Sequence, residues 1–292
     1  MEYKDKNHIF AKKISISLLK EMNKIIVNPD IHGRHFWEES AKHVNEFDKT
    51  IFLGDYFDPY DFEKISVEDA IENFKKILEF KKNNIDKVIL LLGNHDMPYV
   101  YDEYYEFSNW HCRHSKKYHN EIHNLFNDNI SFFQIAYVHN EQTLSLKKEY
   151  NDVLFTHAGV ESGWLENIVK CDSSNINEIC DKLNSLTHSK NGLISLFHIT
   201  SQRGGVDRFG SCVWADVYDM WWDAESVKEP DAIRKPIHNI KQVFGHTMQA
   251  FYDENRNIVF GKPIEFGNCK MLDCAKSFIL DTDKFEVKPF KK

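Results

Sequence analysis

Five short clusters of chemistry-bearing residues punctuate the sequence. They are Asp30-Ile31-His32-Gly33, Gly54-Asp55-Tyr56-Phe57-Asp58, Gly93-Asn94-His95-Asp96, Thr156-His157-Ala158-Gly159 and Gly245-His246-Thr247. Each follows an apolar run. Any one alone reads as turn chemistry, since Asp and Asn bond their own backbone and Gly supplies positive φ. Five in succession at strand ends read differently, because sites in parallel sheets form beyond the carboxyl ends of the strands. The inventory of carboxylate, imidazole and amide oxygen, with no thiolate, suits Mn²⁺ first, with Fe, Zn²⁺ or Ni²⁺ as alternatives. A shared carboxylate can bridge two such ions roughly 3.5–4 Å apart, the spacing that clamps both sides of an in-line displacement. An imidazole on the far side of the reacting centre suits a general acid, and a carboxylate partner would keep it oriented.

The elements that must position these residues are legible around them. Apolar runs at 24–28, 50–53 and 87–92 predict strands. Helical spacing over 36–47 and 66–80 separates them, and Val67, Ala70, Ile71, Phe74, Ile77 and Leu78 share one face of the second helix. Ser66 reads as its N-cap, with Asp69 as a short-chain variant of the capping box. Strand, helix, strand, helix, strand implies parallel pairing through right-handed crossovers. Further along, 102–126 reads as helix, 131–138 as one strand, 152–155 as another, 164–197 as two or three helices and 242–244 as a strand. The tail over 258–287 reads as successive antiparallel strands. The whole chain, 1–292, is expected to form a single domain, with the helix-rich 160–235 stretch an insertion beside the site. The first twenty residues read as an amphipathic helix, with Met22 a candidate alternative start.

Composition narrows the class. At 292 residues and 42% hydrophobic, with twenty-two phenylalanines, the chain has ample material for a core. A formal charge of −8 argues against a broad nucleic-acid surface, which needs a basic face, but leaves room for a nucleotide or phosphopeptide. Six cysteines without a C-x-x-C pair fit a reducing cytoplasm. No segment reads as a bilayer span or a signal peptide.

In this order, the five signatures resemble those of the calcineurin-like metallophosphoesterases. The nearest branch is that of the serine/threonine phosphoprotein phosphatases and their bacterial diadenosine-tetraphosphatase-like relatives. The resemblance runs from Asp30 to His246. It implies an α/β fold, a central β-sandwich flanked by helices on both faces. It implies a metal-dependent phosphomonoester hydrolase using hydroxide held by two divalent ions, acting on a phosphoprotein, a nucleotide or a small phosphometabolite. Asp30 and His32 would bind the first ion, Asp55 would bridge, and Asn94, His157 and His246 would bind the second. His95 would be the general acid, oriented by Asp58, with Asp96 in support. Many of the superfamily's nucleases and phosphodiesterases carry a second His in the last motif. Met248 stands there in this chain, as the phosphoprotein phosphatase pattern has it. Phosphodiester or dinucleoside-polyphosphate cleavage is the alternative activity. A non-catalytic scaffold is the third reading, disfavoured because His95 and every ligand position are present.

The chain departs from that branch at Pro59, where the phosphoprotein phosphatases carry an Arg that holds substrate phosphate. Arg34, Arg203 and Arg208 are the candidate replacements, each weighed against an ordinary surface role. Val213-Trp214-Ala215-Asp216 resembles a Trp-x-Asp stretch of the same branch; with Trp221 and Trp222 it would wall the pocket or pack in the core. His111, Cys112, His114, His119 and His123 lack a closing ligand pair, so they read as a solvated or pocket-lining helix rather than a zinc site. The expected partner is a phosphorylated substrate, and the sequence names no protein partner.

Overall fold

The computed structural model describes residues 23–101, 115–140, 152–225 and 234–291. The expected N-terminal helix, and His111, Cys112 and His114, lie outside them.

The first half alternates as its apolar periodicity demands: β1 (Lys24–Asn28), α1 (Trp37–Ala41), β2 (Lys49–Phe52), α2 (Val67–Asn83), β3 (Val88–Leu91) and α3 (Met97–Val100). β1, β2 and β3 pair in parallel. The Ser66 hydroxyl oxygen accepts the Asp69 N–H at 3.0 Å and its proton goes to the Asp69 carboxylate, 2.7 Å away, so the cap forms with its reciprocal bond rerouted. The helix expected over 36–47 is broken instead: α1 stops at Ala41 and a 3₁₀ turn covers Val44–Glu46. That tightening brings the Asp48 N–H to the Lys24 carbonyl, 2.9 Å away, which starts β2 beside β1.

Of the helix expected over 102–126, the described part is α4 (His119–Asn127). The stretch expected as one strand over 131–138 is two: β4 (Phe133–Gln134) pairs with β3, and β5 (Ala136–His139) pairs with β6 (Val153–Thr156) in a different sheet. At this corner Ile135 belongs to neither sheet and β5 is an edge strand, so the buried backbone groups there need a partner from outside the sheets. The Asn184 amide supplies it: Oδ1 accepts the Ile135 and Ala136 N–H groups at 2.8 and 3.0 Å, and Nδ2 donates to the Ala136 carbonyl at 3.0 Å.

Between β6 and the next strand come α5 (Ser162–Trp164), a π-helical turn (Leu165–Val169), α6 (Ile176–Ser185), α7 (Lys190–Leu196) and α8 (Val217–Glu225). Then follow β7 (Lys241–Phe244), β8 (Ala250–Tyr252), β9 (Ile258–Phe260), β10 (Ile264–Phe266), β11 (Cys269–Met271), β12 (Phe278–Asp281) and β13 (Glu286–Pro289).

The tail is not a simple antiparallel succession. The β8–β9 hairpin stands by itself, β12–β13 extends the first sheet beside β1, and β11 joins the second sheet parallel to β7. The sheets run β13-β12-β1-β2-β3-β4 and β10-β11-β7-β6-β5. The tail divides because each sheet needs an edge covered and the sandwich needs filling: Phe278 and Leu280 of β12 and Leu272 after β11 are all buried between the sheets.

Alternate residues of each central strand take opposite faces. Ile25, Val27, Ile51, Val153, Phe155 and Val243 fill the space between the sheets. Phe52, Val88 and Leu90 face outward under α2, which presses Ile71, Phe74 and Ile77 onto them. Phe244, Cys269 and Met271 are covered on the opposite outer face by Val217 and Met220 of α8. Strands buried on both faces read as continuous apolar runs, which is how they stood out in the sequence. The result is a helix-flanked β-sandwich. Among the described residues no helix is long and apolar enough to cross a membrane.

Candidate metal centre

The five signatures sit just beyond the carboxyl ends of β1, β2, β3, β6 and β7. Their turns are tight enough to force L-residues into the left-handed region: His32, Asp55, Asp58 and His246 have φ between 44° and 70°. Such residues cost about 1–3 kcal/mol each and persist where surrounding structure over-determines them. Two glycines are dictated by the carboxylates lying against them. A Cβ on Gly93 would meet Asp55 Oδ1 at 2.2 Å, and one on Gly245 would meet Asp30 Oδ2 at 2.0 Å.

The imidazoles are held by their outer nitrogens. His32 Nδ1 lies 2.7 Å from the Phe57 carbonyl and His157 Nδ1 lies 2.8 Å from that of Leu53. A carbonyl only accepts, so Nδ1 carries the proton in both and Nε2 points inward with a lone pair. There each Nε2 faces another acceptor. His32 and His157 are 3.5 and 3.4 Å from Asp55 Oδ2, and His157 is 3.9 Å from Asp30 Oδ1. Asn94 Oδ1 lies 2.9 Å from both His157 Nε2 and His246 Nδ1, which are 3.1 Å apart. These buried atoms converge as ligands around a cation would; without one, a proton on His157 Nε2 satisfies part of the cluster. Asp30, His32 and Asp55 form one metal-competent group, and Asp55, His157 and His246 a second. Asp55 belongs to both, so the donor set fits two ions sharing a carboxylate.

The electrostatics carry the same message. Burial raises the Asp30 carboxyl to about 6, with the Asp55 charge adding to the rise and His157 opposing it. Burial also acts against ionised Asp55, but His157, His95 and His32 outweigh it and hold the group well below the usual range. His157 is raised to about 9: desolvation opposes the charged ring, and the carboxylates of Asp55 and Asp30 overcome it. Burial, then the charges of Arg203 and His157, push His246 far down, which keeps it neutral and ligand-ready.

Supporting contacts lock the loops together. Asp96 accepts the N–H groups of Asp55, Gly93 and Tyr56 at 2.7, 2.8 and 2.9 Å. The His246 N–H donates to the Asp30 carboxylate at 2.8 Å, and the His95 N–H to Asp55 Oδ1 at 2.9 Å. The His95 ring lies edge-on to His32, 5.1 Å between centroids, with Nδ1 2.8 Å from Asp58 Oδ2.

The three arginines differ in placement. Arg34 is buried and engaged: Nε and Nη2 bond both Glu63 oxygens at 2.6 and 2.9 Å, and Nη1 donates to the Asp30 carbonyl. It therefore braces the first turn from behind. Arg203 lies beside the fifth signature, with Nε 2.8 Å from Asp216 and Nη2 donating to Thr247 Oγ1. Arg208 is exposed, its guanidinium 5.6 Å from the Phe209 ring centre. Trp214 is buried edge-on to His246 at 5.8 Å, whereas Trp221 and Trp222 are exposed on α8 and pack in no core. His119 and His123 belong to no metal-competent group among the described residues; they pack against Tyr99.

Two buried residues escaped the sequence reading. Tyr99 donates its hydroxyl to Asp58 Oδ1 at 2.7 Å. Asp273 follows β11, and burial together with the Asp30 charge pushes its carboxyl well above the usual range. Its signal was present: Met271-Leu272-Asp273 is another apolar run ending in a carboxylate. Reading the tail as antiparallel hid the fact that β11 runs with β7 and ends at the same edge.

A helix-flanked sandwich with two candidate ligand groups sharing an aspartate at its strand ends fits a metal-dependent phosphoric ester hydrolase. The family profile described as calcineurin-like phosphoesterase matches residues 24–250, most of the chain, and the protein belongs to that family. The family typically binds two divalent metals, and this chain has two candidate ligand groups for them. No curated protein matches the chain.

Proposed function

We propose that the enzyme hydrolyses phosphomonoesters with two divalent ions, Mn²⁺ being the first candidate. The observation that carries this reading is Asp55: one carboxylate common to both ligand groups, with the His95–Asp58 pair beside it. A bound ion pair supplies charge for the phosphate oxygens and an acidified water. The chain's own residues do the rest. His95, with Nδ1 donating to Asp58, turns Nε2 toward the leaving oxygen and delivers its proton there. Its backbone N–H meanwhile holds Asp55 in register. Arg203 takes over the phosphate-holding role of the arginine missing at Pro59. Asp216 and Thr247 fix its planar fork, and such a fork matches phosphate geometry. Arg34 is the weaker candidate because Glu63 already occupies it. Met248 in place of a second His favours a monoester over a diester.

The test is turnover with Mn²⁺ on p-nitrophenyl phosphate and on bis-p-nitrophenyl phosphate, with Asp55→Asn as control. The expected result is preference for the monoester. Preference for the diester would replace this reading with phosphodiester cleavage.

A further inference from the structure

Asp58 is reached from two sides. Its side chain is almost wholly buried, its backbone is left-handed with φ 58°, and each carboxylate oxygen has its own partner. Oδ2 lies 2.8 Å from His95 Nδ1. Oδ1 accepts from the Tyr99 hydroxyl at 2.7 Å. The direction of that second bond is fixed by a third: the Ser115 N–H donates to the Tyr99 oxygen at 2.6 Å. A hydroxyl has one proton, and with an amide N–H already on a lone pair its own proton is directed to the carboxylate.

Tyr99 is itself held. It is fully buried, the His119 ring stacks on it at 5.6 Å with 30° between planes, and His123 Nδ1 lies 2.8 Å from its backbone carbonyl. α4 therefore grips the ring face and the main chain of one residue. This gives the two described histidines of the His119–His123 pair a role that their spacing alone did not reveal.

We propose that Tyr99 is a positioning residue for proton delivery by His95, acting through Asp58; this rests on the reading of His95 as the general acid. A carboxylate gripped at one oxygen alone can rotate about its Cβ–Cγ bond. A second grip at Oδ1 fixes the carboxylate plane, and with it the angle of the His95 ring. The charge-assisted bonds on both oxygens also keep the pair in a single rotamer. A misoriented acid matters most when the leaving oxygen is basic and needs its proton early. It matters little when the leaving group departs readily as an anion.

The experiment compares phenyl phosphate with p-nitrophenyl phosphate, whose leaving group is far less basic, in the full chain with Mn²⁺. His95→Ala is expected to lose at least about 100-fold in kcat on phenyl phosphate and much less on p-nitrophenyl phosphate. Tyr99→Phe is expected to lose about tenfold on phenyl phosphate and under about threefold on p-nitrophenyl phosphate, with KM unchanged for both. In the His95→Ala background, adding Tyr99→Phe should cost nothing more on phenyl phosphate, because the residue acts through the missing ring. Equal losses on the two esters, or a further fall in the double variant, would overturn the positioning role while leaving His95 as the acid. If His95→Ala itself shows no dependence on the leaving group, the acid assignment fails and the role of Tyr99 falls with it. Should Tyr99→Phe not fold, His123→Leu releases the Tyr99 carbonyl and keeps the phenol. It should give the same selective loss in smaller measure, and an equal loss on both esters overturns the proposal.

Discussion

Asp55 shows how much one residue can be asked to do. Its Oδ2 faces two imidazoles, its Oδ1 accepts the His95 N–H, and its own N–H is held by Asp96. Asp55→Asn replaces one charged oxygen with an amide whose donors would meet those rings or that N–H. Outer partners of ligands are already worth 10–100-fold in metal affinity, so loss of the shared ligand should cost more than about 100-fold at both positions. Metal content per chain after gel filtration measures this; retention of one full equivalent would mean that Asp55 does not serve both groups. His157 carries a second prediction. In metal-free protein its pKa is raised to about 9 from an ordinary 6.5. A raised histidine gives stability that is fully present below the unfolded value and is lost as pH climbs through the folded one. Metal-free protein should therefore lose stability between about pH 6.5 and 9, by about 3 kcal/mol at most. Asp30, raised to about 6, acts in the same direction at lower pH, its contribution present below the ordinary 3.8 and gone above about 6. Thermal melts in chelator between about pH 6.5 and 9, above the range in which the depressed His246 acts in the opposite direction, read the slope of His157, and a flat or rising profile there would contradict it.

At the scale of elements, the strands were easy to find and their partners were not. Continuous apolar runs such as Ile25-Ile26-Val27 mark strands buried on both faces, and the helix under Ser66 announced its own start. The stretch 131–138 alternates like one strand, but its first two residues end a 3₁₀ turn and the rest divides between two sheets; nothing local says that Ile135 is a corner between them. What makes the corner tolerable is Asn184, 48 residues away from Ala136, standing in for a neighbouring strand. Asn184→Ala would leave two N–H groups and a carbonyl without these partners. It should cost about 1–3 kcal/mol in urea unfolding and leave KM unaltered. A cost near zero would show that the corner is held by packing alone. The histidines on α4 read in the sequence as a solvated or pocket-lining helix rather than a zinc site; the two described ones lie against the ring and the carbonyl of Tyr99.

For the molecule as a whole, ligand atoms gathered from five strand ends would tie metal binding to the stability of the fold as well as to its chemistry. Adding Mn²⁺ to chelated protein should raise the melting temperature and flatten its pH dependence, because the ions replace the proton that His157 otherwise needs. A melt that Mn²⁺ does not move would contradict the two-ion reading. The sequence by itself determined the strand ends and what they carry: order, residue type and the turn glycines are local properties, written within a few residues of each signature, whereas the meeting of Gly93 with Asp55 and of Gly245 with Asp30 is not. It also determined the family. Only the tertiary structure told the two arginines near the site apart. Arg34 and Arg203 are equally charged on paper, but one is buried against Glu63 and the other sits beside Thr247. Only the tertiary structure, too, brought Tyr99 to Asp58 and Asp273 to Asp30. Those meetings depend on the direction in which distant strands and helices run, and direction is set by long-range packing that no local pattern of residues records.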